Sequence, residues 1–306
     1  MQARRCDAEL LPRASMWAKR KPMSDAMTAV LRVACPDRRG LVAAVAGAVL
    51  GASGNIRAAE QHSDPISRRF FQRMLIEVSS EQAEVLRVSL QDLANRFAMA
   101  WRLDLQGHQP PVALFVSKQL HCLHDLIDRF DRAELAGRLA LIVSNHEVGI
   151  REGERHGVPT LFTPFGDRSV AAIEAEQLAA LAEARIELLV MARYMRVLSP
   201  KFLQTFSGAV INIHHSFLPA FAGGKPYHQA FERGVKCIGA TAHYATDALD
   251  EGPIIEQDVV RVSHRDTVPD LAQKGRDVER VVLARAVRWH LEGRVMVDSG
   301  RTVVFA

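Results

Sequence analysis

From position 112 onward the chain alternates short, uniformly apolar runs with helical stretches, and this alternation constrains the fold more than any other feature. The runs are Val112-Ala113-Leu114-Phe115-Val116, Leu139 to Val143, Leu188-Leu189-Val190-Met191 and Ala209-Val210-Ile211-Asn212-Ile213, with helical sequence between them, most clearly from Ala171 to Ala184. A strand that is apolar on both faces must be covered on both faces, which is the condition of a parallel sheet lying between helices. Ligands of such sheets bind outside the carboxyl ends of the strands. The expectation is an α/β domain over residues 112–306 built on a mostly parallel, Rossmann-like sheet.

The sequence before this region has a different texture. Ala29 to Cys35 reads as a strand, Pro36-Asp37-Arg38-Arg39-Gly40 breaks it, and Leu41 to Ala46 opens an apolar helix. A turn cluster at Gly51, Ser53, Gly54 and Asn55 leads into an extended piece from Ile56. Phe70 to Val78 reads as a strand, Glu81 to Phe97 as a helix and Trp101 to Leu105 as a last strand. The order β-α-β-β-α-β is that of a ferredoxin-like α+β unit. Two helices cover one face of such a sheet, so Phe70, Phe71, Met74 and Ile76 are expected to leave apolar surface that a partner must cover, which points to a homo-oligomer. Gly107-His108-Gln109-Pro110-Pro111 punctuates the chain and sets the boundary between a unit at 27–107 and the domain at 112–306. Residues 1–26 hold six basic residues, Asp7, Glu9 and no hydrophobic signal core, and are read as a disordered extension.

Composition excludes several function classes. A net charge of +4, spread along 306 residues, argues against nucleic acid as a partner but tolerates a small anionic substrate. The four cysteines, Cys6, Cys35, Cys122 and Cys237, form no Cys-x-x-Cys pair, which suits reduced thiols and a cytoplasmic address. No apolar run approaches the ~18 residues of a membrane span.

The densest chemistry lies at Asn212-Ile213-His214-His215-Ser216-Phe217-Leu218-Pro219, directly after an apolar strand. Residues two apart on a strand share a face, so Asn212 and His214 point the same way. An amide beside an imidazole suits stabilisation of an oxyanion at an acyl carbon, although spacing alone better describes a satisfied polar pair at a strand end. A second element, Ala245 to Ile255, is an acidic loop between two extended pieces. A carboxylate there can order or deprotonate a water, or simply belong to a solvated turn. His121-Cys122-Leu123-His124 has a metal-like look but opens a helix and lacks further ligands, so no metal is expected. His243 lies in a strand-like run and is read as structural.

Together with Arg193-Tyr194-Met195-Arg196-Val197-Leu198-Ser199-Pro200 and Leu249-Asp250-Glu251-Gly252-Pro253-Ile254-Ile255, the Asn212–Pro219 segment resembles the signature of the formyltetrahydrofolate-dependent formyltransferase superfamily. Pro226-Tyr227-His228-Gln229-Ala230, Gly239 to Tyr244 and Gly275-Arg276-Asp277-Val278-Glu279 are similar to its formyltetrahydrofolate deformylase branch. The resemblance covers nearly everything from Val30 onward. It implies an amino-terminal ACT domain and hydrolysis of 10-formyltetrahydrofolate to formate and tetrahydrofolate. That reaction supplies formate for purine synthesis and needs no cofactor beyond the folate substrate. It also implies a catalytic triad of Asn212, His214 and Asp250, with His228 as a partner of Asp250. Met195, Arg196 and Leu198 would line one side of the folate slot, and Thr246, Asp247 and Ala248 the other. In relatives the turns matching Asp37, Gly40 and Asn55 hold small amino-acid effectors between paired units.

Two rival readings remain. A transferase of the glycinamide ribonucleotide type needs a glycine-rich phosphate cradle after its first strand, and Ser117-Lys118-Gln119-Leu120-His121-Cys122 contains no glycine. A regulatory folate-binding protein without turnover would not need the three polar residues intact. Two segments, Ala222-Gly223-Gly224-Lys225 and Thr163 to Arg168, depart from the family's usual pattern.

Overall fold

The computed structural model describes residues 27–105, 107–219 and 226–306. The amino-terminal extension and the Ala222-Gly223-Gly224-Lys225 segment lie outside the described residues.

The first unit consists of β1 (Met27–Pro36), α1 (Leu41–Gly51), β2 (Asn55–Asp64), β3 (Arg69–Val78), α2 (Ser80–Phe97) and β4 (Ala100–Leu105). Its antiparallel sheet has the order β2-β3-β1-β4, the ferredoxin-like arrangement expected from the sequence. Strand alternation sorts the side chains. Leu31, Val33 and Cys35 of β1 and Phe70, Met74 and Ile76 of β3 pack with Leu41, Val45 and Val49 of α1 and Ala83, Leu86 and Leu90 of α2. Gly40 takes φ 88° just before α1, a left-handed conformation that glycine adopts without Cβ strain. α2 starts in a capping box, in which the Ser79 hydroxyl accepts from Gln82 N–H and Gln82 Oε1 accepts from Ser79 N–H.

The second unit runs β5 (Pro111–Val116), α3 (His121–Asp131), β6 (Arg138–Ser144), α4 (Glu147–Arg155), β7 (Thr160–Phe162), α5 (Val170–Glu183), β8 (Leu188–Ala192), α6 (Pro200–Thr205) and β9 (Ala209–His214). It continues with α7 (Pro226–Arg233), β10 (Cys237–Tyr244), β11 (Ile254–Arg261), α8 (Val268–Leu291) and a closing hairpin of β12 (Val295–Asp298) and β13 (Arg301–Val304). The seven-stranded sheet has the order β11-β10-β9-β8-β5-β6-β7. Strands β5 to β9 are parallel, and β10 and β11 extend the sheet antiparallel. Every residue of β5 is buried, as a strand covered on both faces must be. Val112, Leu114 and Val116 pack toward Leu123 and Ile127 of α3 and Val282 and Val287 of α8. Ala113 and Phe115 face Leu181 of α5 and Phe202 of α6. The chain winds outward from β5 through β6 and β7, then returns to β8 and β9 on the other side, so the winding direction changes between β5 and β8. No described helix is long and apolar enough to cross a membrane.

One expectation is corrected where the two units meet. Phe70, Met74 and Ile76 lie under the unit's own helices, and Phe71, on the opposite face, is fully buried within a single chain. The reason is the carboxyl-terminal segment, which the sequence reading did not place. Arg69 pairs with Asp298 at 2.9 Å and Arg301 with Asp64 at 2.6 Å. Arg73 Nε donates to Gly293 O at 3.3 Å, and its terminal nitrogen donates to Glu292 O at 3.1 Å. The face read as open to a partner is thus occupied by the chain's own end, while edge strand β2 stays largely exposed.

Candidate active site

Strand β9 delivers Asn212 and His214 to one face, and the antiparallel neighbour β10 adds a third side chain beside them. Its register sets His243 opposite Asn212 and Thr241 opposite His214. Residues directly opposite on neighbouring strands share a face, so the imidazole of His243 meets the amide of Asn212, with Nε2 3.2 Å from Nδ2. The other ring nitrogen of His243, Nδ1, lies 3.0 Å from the carbonyl oxygen of Tyr244. A carbonyl only accepts, so Nδ1 carries a proton and donates to it. Thr241 secures the chain after β9, since its hydroxyl donates to Ser216 O and accepts from Leu218 N–H.

The carboxylate comes from the β10–β11 loop. Ala245 N–H bonds to Val210 O, and Tyr244 N–H to Pro253 O, which ties both ends of the loop to the sheet. Gly252 passes so close to Tyr244 that a Cβ there would sit 1.7 Å from the Tyr244 carbonyl oxygen. Asp250 has φ 58°, a strained conformation of the kind that accumulates at functional sites. Its Oδ2 is 3.1 Å from His214 Nδ1 and its Oδ1 is 3.6 Å from His243 Nε2. The hydrogen bond with His214, and after it the neighbouring His243, hold the Asp250 carboxyl well below the usual carboxylate range, against the upward push of burial. The His214 side chain is only 7% exposed. Its Nε2 is buried and meets no hydrogen-bond partner among the described residues. A buried imidazole anchored at one nitrogen and open at the other is equipped to receive a ligand atom.

The other residues singled out from the sequence are distributed unevenly. His228 is exposed on α7, and among the described residues the imidazoles beside Asp250 are His214 and His243. Both readings are corrected: His243 is part of the site, and His228 is not seen beside the carboxylate. The cause is strand pairing, which links residues 31 apart in sequence. Leu198 turns inward and packs with Tyr194, Phe202 and Phe206, so it backs the wall rather than facing a ligand. Met195 is 61% exposed, and the Arg196 guanidinium stacks on Phe165, 4.1 Å from the ring centroid, which joins this loop to the divergent Thr163–Arg168 segment. Thr246, Asp247 and Ala248 are exposed on the β10–β11 loop, where the Thr246 hydroxyl bonds to Ala248 O. In the first unit Asp37 and Gly40 lie on the exposed β1–α1 turn, and Asn55 Nδ2 donates to Glu77 Oε2 at 3.0 Å.

Beyond the carboxyl ends of β5 and β8, where the winding direction changes, the crevice is filled by the chain itself. Arg193 donates to Gln119 Oε1 at 2.8 and 3.2 Å, and its Nε is 3.4 Å from Glu279 Oε2. His121 Nε2 lies 2.8 Å from the same carboxylate oxygen, and the Tyr227 hydroxyl donates to Glu279 Oε1 at 2.8 Å. Burial raises the Glu279 carboxyl, but the His121 hydrogen bond and the Arg193 charge outweigh it, and the group stays ionised. His121, Cys122 and Glu279 have metal-like spacing, while His124 turns to Glu152 instead. With the Arg193 guanidinium on the same carboxylate, this donor set has the chemistry of a buried ion-pair network rather than of a cation site. His215 stands between network and carboxylate site, its ring centroid 5.2 Å from His214 and 6.2 Å from Tyr227. Burial, reinforced by the Arg193 charge, pushes its pKa down to about 4, so it is neutral near pH 7.

This geometry has known counterparts. Residues 111–287 match the family model described as formyl transferase. A protein of Synechocystis sp. named formyltetrahydrofolate deformylase is 48% identical over 92% of this chain and 99% of its own length. A Bacillus subtilis protein of the same name is 45% identical over 90% of this chain and 93% of its own. A crystal structure of a formyltetrahydrofolate deformylase from Pseudomonas syringae superposes with a TM-score of 0.88 at 43% identity, covering 93% of this chain and 96% of that one. These similarities extend through the amino-terminal unit and are not confined to the second one.

Proposed function

Because this chain belongs to the formyltetrahydrofolate deformylase family, we propose that it hydrolyses 10-formyltetrahydrofolate to formate and tetrahydrofolate, with Asn212, His214 and Asp250 as its catalytic residues. The observation that carries the reading is the Asp250 carboxylate held ionised against His214, whose far nitrogen is buried and unpartnered.

The roles follow from the chemistry of a formamide. Water attacks the formyl carbon, the carbon–nitrogen bond breaks, and formate and the free folate amine result. Negative charge grows on the formyl oxygen during attack. The Nδ2 of Asn212, steered by His243, and the protonated Nε2 of His214 donate to that oxygen. Asp250 orients the water and accepts its proton. His214 is then the donor that returns a proton to the leaving nitrogen.

Met195 and Arg196 on one loop and Thr246, Asp247 and Ala248 on another border the folate, with Leu198 as support from within. Water is the acceptor in this reading because the crevice beyond β5 is already filled by Gln119, Arg193 and Glu279 and offers no glycine-lined anion cradle. No metal or other cofactor has a part in it. The product formate would feed purine synthesis in the cytoplasm. The first unit acts as an ACT domain, with an amino-acid effector at the turns holding Asp37, Gly40 and Asn55. The exposed edge of β2 supports a homo-oligomer.

The deciding experiment is a formate-release assay with 10-formyltetrahydrofolate and no amine. Formate and tetrahydrofolate are expected in equal amounts. Turnover that begins only when an amine is supplied and formylated would establish a transferase, and folate binding without turnover would establish a binding protein.

A further inference from the structure

The end of α8 connects the amino-terminal sheet to the reacting residues. On the sheet, Arg73 grips the carbonyl oxygens of Glu292 and Gly293, immediately beyond the helix. A Cβ on Gly293 would lie 3.3 Å from Val30 Cγ1 and 3.5 Å from Arg32 Nε, so the backbone of this turn lies against the Val30 and Arg32 side chains of β1. His290, in the last turn of α8, is half-buried in the same junction. Burial, followed by the charges of Arg32 and Arg102, pushes its pKa down to about 4, so the ring is neutral near pH 7. The Tyr244 hydroxyl is driven the other way by burial and keeps its proton. It is hydrogen-bonded to His290 Nδ1 at 2.8 Å.

Tyr244 ends β10 and follows His243. All three of its polar groups are engaged: its N–H with Pro253, its carbonyl with His243 Nδ1, its hydroxyl with His290. The carbonyl fixes the His243 tautomer and ring plane. The ring in turn faces Asn212 at 3.2 Å and Asp250 at 3.6 Å.

We propose that the Tyr244–His290 hydrogen bond is a positioning contact. It anchors the end of β10 to the junction between the two units, and through the Tyr244 carbonyl it sets His243, the Asn212 amide and the Asp250 carboxylate. Catalytic groups must be held to within a fraction of an ångström to stabilise a transition state, and a ring anchored at one nitrogen keeps that precision only while its anchor stays still. The amino-terminal unit thereby contributes to catalysis without touching substrate. The kinetic part of this proposal rests on the hydrolase reading of the site.

The test uses the full-length chain. Tyr244→Phe removes one hydroxyl and keeps the ring, and His290→Leu removes its hydrogen-bond partner. Each is expected to lower kcat for formate release about tenfold while KM stays within about twofold, because binding of substrate is not what the contact serves. The double variant should be no slower than either single one, as two ends of one bond require. His290→Asn, whose side-chain oxygen takes the place of Nδ1, should recover most of the rate. The 15N shifts of the His243 ring should move in Tyr244→Phe and return toward the unaltered pattern in His290→Asn. If the unaltered chain releases no formate, the hydrolase reading fails and the ring shifts alone decide the positioning claim. Folded single variants with unchanged kcat, losses that multiply in the double variant, or unmoved His243 shifts would each overturn it.

Discussion

Asp250 is the side chain on which the proposed chemistry most depends. Its carboxylate meets His214 through one oxygen and faces His243 with the other, on a backbone held at φ 58°. Asp250→Asn keeps the shape and removes both the charge and the base. The loss in kcat/KM should reach at least about 100-fold, within the range of general-base catalysis. Tetrahydrofolate should still bind, with a dissociation constant changed only a few-fold in calorimetric titration. A variant that neither folds nor binds would make Asp250 a structural residue. The motif displays Asn212 and His214 because a strand's two-residue period is local information. Asp250 is legible only by resemblance, since nothing in an acidic loop says which carboxylate turns inward. From sequence His243 reads as structural, because its place beside Asn212 depends on the register between β9 and β10, a pairing that the sequence of either strand leaves open.

Among the elements, the β10–β11 loop decides whether these residues meet. Its tightest point is Gly252 against the Tyr244 carbonyl. Gly252→Ala would place a methyl carbon inside that contact and force apart the two strand ends that the Tyr244–Pro253 hydrogen bond closes. The carbonyl that would be displaced is the one anchoring His243. The variant should therefore lose stability on the order of 2 kcal/mol, typical of a buried backbone clash, and more than tenfold in kcat. Urea titration and single-turnover kinetics measure the two separately. A loss of stability with full rate per folded molecule would show that the loop is scaffolding alone. At this scale the parallel strands β5, β6, β8 and β9 are evident from their apolar runs, because burial on both faces leaves a compositional mark. The closing hairpin β12–β13 is not: Val295–Asp298 and Arg301–Val304 are too short and too mixed to stand out before their docking surface is known.

For the molecule as a whole, the junction between the units bears on both assembly and acid stability. The ferredoxin-like order could be read from the sequence. Its covered face could not, because burial of Phe71 depends on residues more than 200 positions away, such as those paired with Arg69 and Arg73. That junction also holds the half-buried His290, while His215 is half-buried beside the candidate site, and both have pKa values pushed down to about 4 from an ordinary 6.5. In the unfolded chain each ring takes up a proton as pH falls through 6.5, whereas in the fold each stays neutral until about 4. The unfolded state therefore binds more protons across this window, and stability must fall as pH falls. At about 1.4 kcal/mol per pKa unit, each ring costs on the order of 3 kcal/mol once pH has dropped to about 4. The depressed carboxylates Asp64, Asp104, Asp250, Asp266, Asp270, Glu279 and Glu292 add their own losses as pH enters the ordinary carboxylate range, so the histidines dominate between pH 6.5 and 4.5. Urea midpoints measured across that window should decline steadily in the unaltered chain. His290→Asn, which accepts from Tyr244 but does not titrate, should decline with about half the slope, because His215 alone then remains to charge. A stability that is flat over this range, or a slope that the substitution leaves unchanged, would mean that the junction admits enough water to solvate a charged His290. The two units would then be held by their surface ion pairs, Arg69–Asp298 and Arg301–Asp64, rather than by a dry contact.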